Sequence, residues 1–502
     1  MNESSPELQR AFSLTGAVVM SAGIVIGVGL FTVSTNAVGF LGPILLIGNL
    51  VALVVSLLTS LVYAELAACW PFSGGSYAYA YESWGKFGPI AGFLAAWSII
   101  GAYLAVGAEA LAFGNYFLST IDYLGLWTVV KAGEVPFGLA AVLASTLILT
   151  YTIINWRGAK EVALSQKAVM FAMGTMIAIS ITAAAATSMN FKNFVPFVPD
   201  WFKPGTFALS CTLIWWAYAG QEVIGTMAEE IEHPTITIPR ALIMVPFVVF
   251  IITASMQWAV LGIVPDAQIL QEADAPFALA LKTAGVGAVI FLLFMIAEFT
   301  GNLTTINPAL TGSSRVVFAL GRDGYLPTLF KRLSKRNVPA AAIWTAGIGS
   351  IILLATKGLV FLAEISAFML LFLYGFVALT LIVSRFTRPE ISRPFKTPFF
   401  PIPPLLLIGF AIWMILSLPK NVVFLGIIWL AGALLFYLLW TRLPWGKEER
   451  REPKFFRSES ARPKEPTAAE RAKLNKDFRR FLIRLAIVFA ICLMFFAIPY
   501  IL

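Results

Sequence analysis

The chain has 502 residues, of which 59% are hydrophobic and only 13% charged, with a mean hydropathy of +0.83 and a net charge of +9. A soluble domain carries about 25% charged residues, so the composition excludes an ordinary soluble domain and indicates an all-α polytopic membrane protein. A single histidine, His233, and three scattered cysteines, Cys69, Cys211 and Cys492, exclude a multi-histidine metal centre and a disulfide framework.

A membrane-crossing helix needs roughly 17–25 apolar residues. The sequence predicts twelve such spans at 12–38, 43–69, 89–117, 137–154, 163–187, 206–230, 240–263, 284–318, 339–356, 359–384, 403–419 and 421–441, and a thirteenth at 481–501. Residues 1–11 are acidic and polar, with no basic n-region and no cleavage site after span 1. Span 1 is therefore expected to remain in the protein as its own insertion signal. Spans 1–5 occupy 12–187 and spans 6–10 occupy 206–384. Spans 11 and 12 follow at 403–441, then a charged, Pro-containing segment at 442–480 and the last span at 481–502.

With the N-terminus in the cytoplasm, 30 Lys and Arg residues fall inside and 6 outside. Leaving out the 14 from Arg442 to Arg484 still leaves 16 against 6. The positive-inside bias favours this orientation, in a cell (plasma) membrane. The basic excess is thus read as topology, not as a nucleic-acid surface, and its tail as a contact for anionic membrane lipids.

Two glycine-bearing segments interrupt the apolar pattern. Gly27-Val28-Gly29 lies midway through span 1, and Trp216-Ala217-Tyr218-Ala219-Gly220 lies inside span 6. An unwound helix facing lipid leaves N–H and C=O groups without partners, so such breaks persist where they line a cavity. Span 1 starts inside and span 6 starts outside. The two breaks therefore open five-span units of opposite orientation, the pattern of a secondary transporter with a midplane site. Gly27, Val28 and Gly29 precede the outer half of span 1, whose free N–H groups suit a carboxylate. Carbonyls near Ile24 and Ile26, with those of Trp216, Ala217 and Ala219, suit an ammonium. An α-amino acid meets both. A tightly packed helix crossing is the alternative explanation for one isolated GxG.

The run Ser21-Ala22-Gly23-Ile24-Val25-Ile26-Gly27-Val28-Gly29-Leu30-Phe31 resembles the span 1 signature of the amino acid–polyamine–organocation superfamily. Further resemblances follow in the family's order: Tyr63-Ala64-Glu65-Leu66 with Pro71 to Tyr77, Trp216 to Glu222 with Glu229 to Leu242, and Ser314-Arg315 through Pro327. The resemblance implies a LeuT-like fold, a 5+5 inverted repeat with spans 1 and 6 interrupted, working by alternating access on an amino acid or amine. It also implies that Trp216 gates the substrate and that Glu222 senses protons. Packing is the alternative role for Trp216, and a hydrogen-bonded structural role for Glu222. In heteromeric animal relatives a cysteine between spans 3 and 4 links a glycoprotein partner. Segment 118–137 has no cysteine, so no such partner is expected.

Carboxylates at membrane depth are costly and are functional candidates by default. Glu109, Glu222 and Glu298 qualify, as proton-sensing or coupling groups. Glu65 is expected to pin a gate or helix end, while Glu229, Glu230 and Arg240 read equally as a solvated charge cluster. Thr304 and Thr305 in span 8 occupy the place where sodium-coupled members of the wider fold supply hydroxyls to Na⁺, a hard cation that prefers oxygen ligands. The alternative is hydroxyls bonded to the preceding turn. Some proton-coupled relatives place a span 5 lysine where that sodium would sit. The matching residue here is Met173, which cannot carry a proton. Coupling to Na⁺, coupling to H⁺ and exchange without either remain open on sequence. Apolar surroundings at Ile24, Ile26 and Trp216 favour a neutral amino acid. A cationic amino acid or polyamine becomes the alternative if Glu109 or Glu298 faces the pocket, and a non-transporting nutrient sensor is a third reading. HExxH, GxSxG and P-loop motifs are absent, so no enzyme or catalytic residue is expected.

Overall fold

The computed structural model describes residues 10–501 apart from 28, 105, 128–136, 188, 272, 274, 355–358 and 444–465. Among these residues every regular element is helical, and nine helices are long and apolar enough to cross a membrane. Three shorter apolar helices, Leu14–Val25, Ala340–Leu354 and Ile402–Ser417, accompany them.

Span 1 is split. Helix α1 runs Leu14–Val25, started by Ser13, whose hydroxyl accepts the Gly16 N–H at 3.4 Å. The chain leaves helical geometry at Ile26, passes through a π turn at Gly29–Val33, and resumes as α2, Ser34–Leu41. A π turn frees carbonyls, and hydroxyls answer them. Ser34 donates to Leu30 O at 2.6 Å and Tyr116 to Phe31 O at 2.8 Å. Then follow α3 (Leu45–Cys69), the short α4 (Ser76–Ser83), α5 (Gly88–Leu104), α6 (Val106–Tyr123), α7 (Phe137–Arg157) and α8 (Ala159–Thr187).

Span 6 is also split. Helix α9 (Phe207–Trp216) ends in turns, with Gly220 at φ +107°, before a single turn of α10 (Val223–Thr226). A positive φ of this size suits glycine alone. Helix α11 (Pro234–Ile263) is entered through His233 at φ +47° with Pro234 at its first position. It begins six residues before the predicted 240. The short α12 (Pro276–Thr283), which hydropathy did not show, precedes α13 (Ala288–Arg322). Helices α14 (Ala340–Leu354), α15 (Leu359–Thr387), α16 (Ile402–Ser417) and α17 (Lys420–Arg442) complete the predicted twelve.

The last helix, α18, spans Ala468–Ile501, starting 13 residues before the predicted 481. The reason is local. Thr467 and Glu470 form a reciprocal cap, in which Thr467 N donates to Glu470 Oε2 at 2.8 Å and Glu470 N to Thr467 Oγ1 at 3.3 Å.

Helix α3 packs along α11 and α13 along α8. Apolar side chains point outward on the peripheral helices, with Phe171 of α8 and Leu416 of α16 each 78% exposed. Such an apolar exterior suits hydrocarbon rather than water.

Buried polar side chains serve the backbone where prolines disrupt it. Pro308, inside α13, cannot donate to Thr304 O one turn back. Gln166 of α8 donates there instead, at 2.7 Å. Asn307 ties the same region to Asn155, Ser165 and Gln166.

Candidate functional site

The two interrupted spans meet. A Cβ added to Gly29 would lie 2.8 Å from the Ala217 Cα, and one added to Gly220 would lie 3.2 Å from Ile24 Cγ2. Only glycine at both positions lets the broken segments approach so closely. Beside this crossing lies a cavity with room for water centres of about 40 Å³, roughly three waters at 10–15 Å³ each. Ile24, Gly29, Trp216 and Ala219 line it, with Val106, Ala309 and Leu370 adding apolar surface.

The remaining predicted backbone residues sit behind the wall. Ile26 is fully buried, and its carbonyl accepts a hydrogen bond from Thr304. Ala217 packs on Gly29. Gly27 is flanked by the Glu109 carboxylate and the Thr305 hydroxyl, both of which reach the cavity. Val28 lies outside the described residues.

The three carboxylates differ in placement. Glu109 of α6 lines the cavity, is 7% exposed, and abuts the span 1 break. Glu222 lies just beyond the cavity, bracketed by two phenols. Tyr103 donates to its Oε1 at 2.9 Å and Tyr374 to its Oε2. Tyr374 also accepts the Gly220 N–H at 2.8 Å, so this one hydroxyl joins the span 6 break to the carboxylate. Tyr103 and Tyr374 carry no motif, and sequence reasoning missed them. Glu298 of α13 is fully buried away from the cavity lining, where its Oε1 accepts from Asn302.

Thr304 and Thr305 face α1 as the sodium reading requires. The Thr305 hydroxyl, however, donates to Gly23 O at 3.1 Å, while that of Thr304 lies 2.6 Å from Gly301 O in the preceding turn of its own helix and 2.9 Å from Ile26 O. Met173 Sδ stands 4.0 Å from Thr304 Oγ1 and is fully buried. A thioether prefers soft metals and contributes little to a hard cation. The two hydroxyls and the two span 1 carbonyls are oxygens of the hard type that Na⁺ prefers, and the Met173 sulfur beside them is not.

The N-terminal face is closed by pairing. Phe12 bridges Ile231 in a parallel backbone pair, with Glu232 N donating to Phe12 O at 2.9 Å, and Arg10 donates to Ile231 O at 2.6 Å. Arg315 of α13 meets Glu230 at 2.6 Å, both 1% exposed. Glu230 is therefore no solvated charge. Arg322 meets Glu229 at 3.2 Å. Glu65 at the end of α3 receives Arg385 and Arg393 and the Thr397 N–H. Tyr77 of α4 donates to Asp323 at 2.5 Å. Burial pushes the Asp323 carboxyl up to about 6, against the pull of Arg322.

Membrane-crossing helices in which two interrupted spans meet at a small buried cavity define a multi-pass carrier. The comparisons with known proteins agree. The amino acid permease family profile matches residues 12–440. The chain is 30% identical to the branched-chain amino acid permease BcaP of Bacillus subtilis (strain 168), over 86% of this chain and 92% of that protein. It is 28% identical to the methylthioribose transporter of the same organism, over 87% and 95%. It is 26% identical to the b(0,+)-type amino acid transporter 1 of Mus musculus, over 88% and 90%. The chain belongs to the amino acid permease family, within the amino acid–polyamine–organocation superfamily, and is a transport protein rather than an enzyme.

Proposed function

We propose that this protein carries a neutral amino acid across the cell membrane by alternating access, with its N-terminus in the cytoplasm. The observation that carries the site is the contact of the two breaks, Gly29 on Ala217 and Gly220 on Ile24, beside a cavity lined on one side by Glu109. The N–H of Gly29 at the span 1 break would take the carboxylate, those of Leu30 and Phe31 being bonded to Gly27 O at 2.9 and 3.2 Å. Glu109 would take the α-ammonium, and Trp216 with Val106, Ala309 and Leu370 would enclose an apolar side chain. The packing of span 2 (α3) along span 7 (α11) supports a 5+5 inverted repeat, since these two are equivalent under that symmetry. The ion pairs at Glu229, Glu230 and Glu65 would form the cytoplasmic gate, and the inside excess of Lys and Arg supports the orientation.

Transport is proposed to run without Na⁺, because the Thr304 and Thr305 hydroxyls lie against span 1 carbonyls and Met173 fills the adjacent space. Among the three carboxylates Glu109 is the coupling group favoured here, since it alone of them lines the cavity.

A second reading draws on that same carboxylate. An acid at the cavity also suits a cationic amino acid or polyamine. Counterflow in proteoliposomes separates the two. Leucine or alanine accelerating efflux of labelled substrate, equally in sodium and choline buffers, is the expected result. Acceleration by lysine or agmatine alone would replace the neutral assignment, and a strict sodium requirement would overturn the sodium-free one. Glu109→Gln should weaken the apparent affinity by roughly 10- to 100-fold, since hydrogen bonds to charged groups contribute about 1.5–3 kcal/mol.

A further inference from the structure

Helix α18 lies parallel to α11. Phe489 rests on Phe247 and Phe250, at 5.6 and 5.2 Å between ring centroids. Further along, Phe495 reaches Trp258 at 6.1 Å. The 34 residues of α18 extend about 51 Å at 1.5 Å each. That exceeds a hydrocarbon core of about 30 Å, so the first turns stand beyond it. These turns carry Arg471, Lys473, Lys476, Arg479, Arg480 and Arg484 against Glu470 and Asp477.

At the N-terminal end of this contact sits Arg240 of α11. It is half-buried and lies on the face that carries the N-terminal segment, close in sequence to the Phe12–Ile231 bridge. Its Nη2 donates to Asn475, and its guanidinium lies 4.9 Å from the Phe478 ring centroid. Its Nη1 is enclosed with no partner among the described residues. The positive charge of Arg471 acts on it as well. Glu470 is turned to Thr467 and to His233, the latter at 4.0 Å. A guanidinium held in place by an amide and a ring, with part of its surface exposed and a second cation beside it, has the chemistry of a phosphate receptor.

We propose that Arg240, with Arg471, binds the phosphate of an anionic lipid headgroup, and that this lipid fastens α18 to α11. A lipid rather than a free phosphate is favoured by position. Directly after Phe478 the exposed α18 surface turns apolar, at Leu482, Ile483 and Ile487, and offers a bed for acyl chains. Headgroup contacts of this kind gain strength from an anionic surface and fade with salt. The site is independent of the substrate reading, and its test does not involve transport.

The full chain, purified in a neutral detergent, is titrated with phosphatidylglycerol, phosphatidylcholine or inorganic phosphate while its thermal unfolding is followed. Phosphatidylglycerol should raise the melting temperature saturably. Arg240→Gln should weaken that response about tenfold, whereas Arg442→Gln at the end of α17 leaves it unchanged. Equal responses to phosphatidylglycerol and phosphatidylcholine, or an unaltered response in Arg240→Gln, overturn the proposal. A matching shift from inorganic phosphate overturns the lipid as the source. Should Arg240→Gln fail to fold, Arg471→Gln, on an exposed turn, reads the same loss.

Discussion

Gly29 shows how little freedom the centre of this protein has. The atom that an alanine would add lies 2.8 Å from the Ala217 Cα, and backbone cannot move aside as a flexible side chain can. Gly29→Ala is expected to push the two breaks apart and abolish substrate counterflow, while the protein still inserts and elutes as a folded species on size exclusion. Gly27→Leu acts on the neighbouring surface, driving into the Glu109 carboxylate and the Thr305 hydroxyl. Wild-type counterflow by either folded variant would remove the crossing from the site. Gln166 has a different duty, capping the carbonyl that Pro308 leaves bare. Gln166→Leu should destabilise the fold by about 1–3 kcal/mol, the cost of an unsatisfied buried acceptor, visible as a lower melting temperature at unchanged substrate specificity.

At the scale of elements, the N-terminal face is held by charges taken out of water. Arg315 and Glu230 are each 1% exposed and 2.6 Å apart. Removing one partner of a buried pair leaves an uncompensated charge and costs about 3–5 kcal/mol, while replacing both by apolar residues is often neutral. Arg315→Met should therefore melt well below the wild type, and Arg315→Met with Glu230→Leu should recover most of the loss in the same thermal scan. If the pair is also the gate, the recovered double variant will show an N-terminal face that labels more readily at cysteines placed near Ser21.

The same face carries a pH dependence. Asp323 in the folded protein titrates near 6, above its usual 3.8. Between those values the folded state holds a proton that the unfolded chain has lost. Its contribution is thus fully present below about 3.8 and is lost as the pH rises through about 6, amounting to roughly 3 kcal/mol at most. Melting temperatures measured from pH 4 to 7 should show this component falling with rising pH, and Asp323→Asn should remove it. An unchanged slope in Asp323→Asn would assign the dependence to another group.

Across the whole molecule, the family match ends at residue 440, and α18 lies against α11 at the edge of the bundle. Deleting 444–502 is expected to leave counterflow within about twofold, because distant sites couple weakly, while lipid-dependent stabilisation disappears. Loss of counterflow on deletion would make α18 part of the working core.

Hydropathy alone located the helices that stand at the twelve predicted spans to within a few residues at most ends. This follows from the bilayer, which demands a long apolar run from every helix that crosses it and admits few exceptions. The interruptions were legible for a related reason. Glycine pairs and a cluster of small and aromatic residues inside an apolar run mark backbone that cannot be facing lipid. Two helix starts were set later than they stand, at 240 and 481, because polar first turns hide from an apolarity criterion. The Thr467–Glu470 box would have revealed the second.

What the sequence by itself determined is the membrane class, the succession of apolar segments, the two broken helices and the three acidic residues at membrane depth, since each leaves a mark in local composition. Only the tertiary structure decided which acid meets the cavity, that Tyr103 and Tyr374 hold Glu222, that Glu230 is buried against Arg315, and that the Thr304 and Thr305 hydroxyls lie against span 1 carbonyls. These depend on the rotation of each helix about its axis and on partners scores to hundreds of residues away. Interhelical packing sets both, and no single helix records its neighbour.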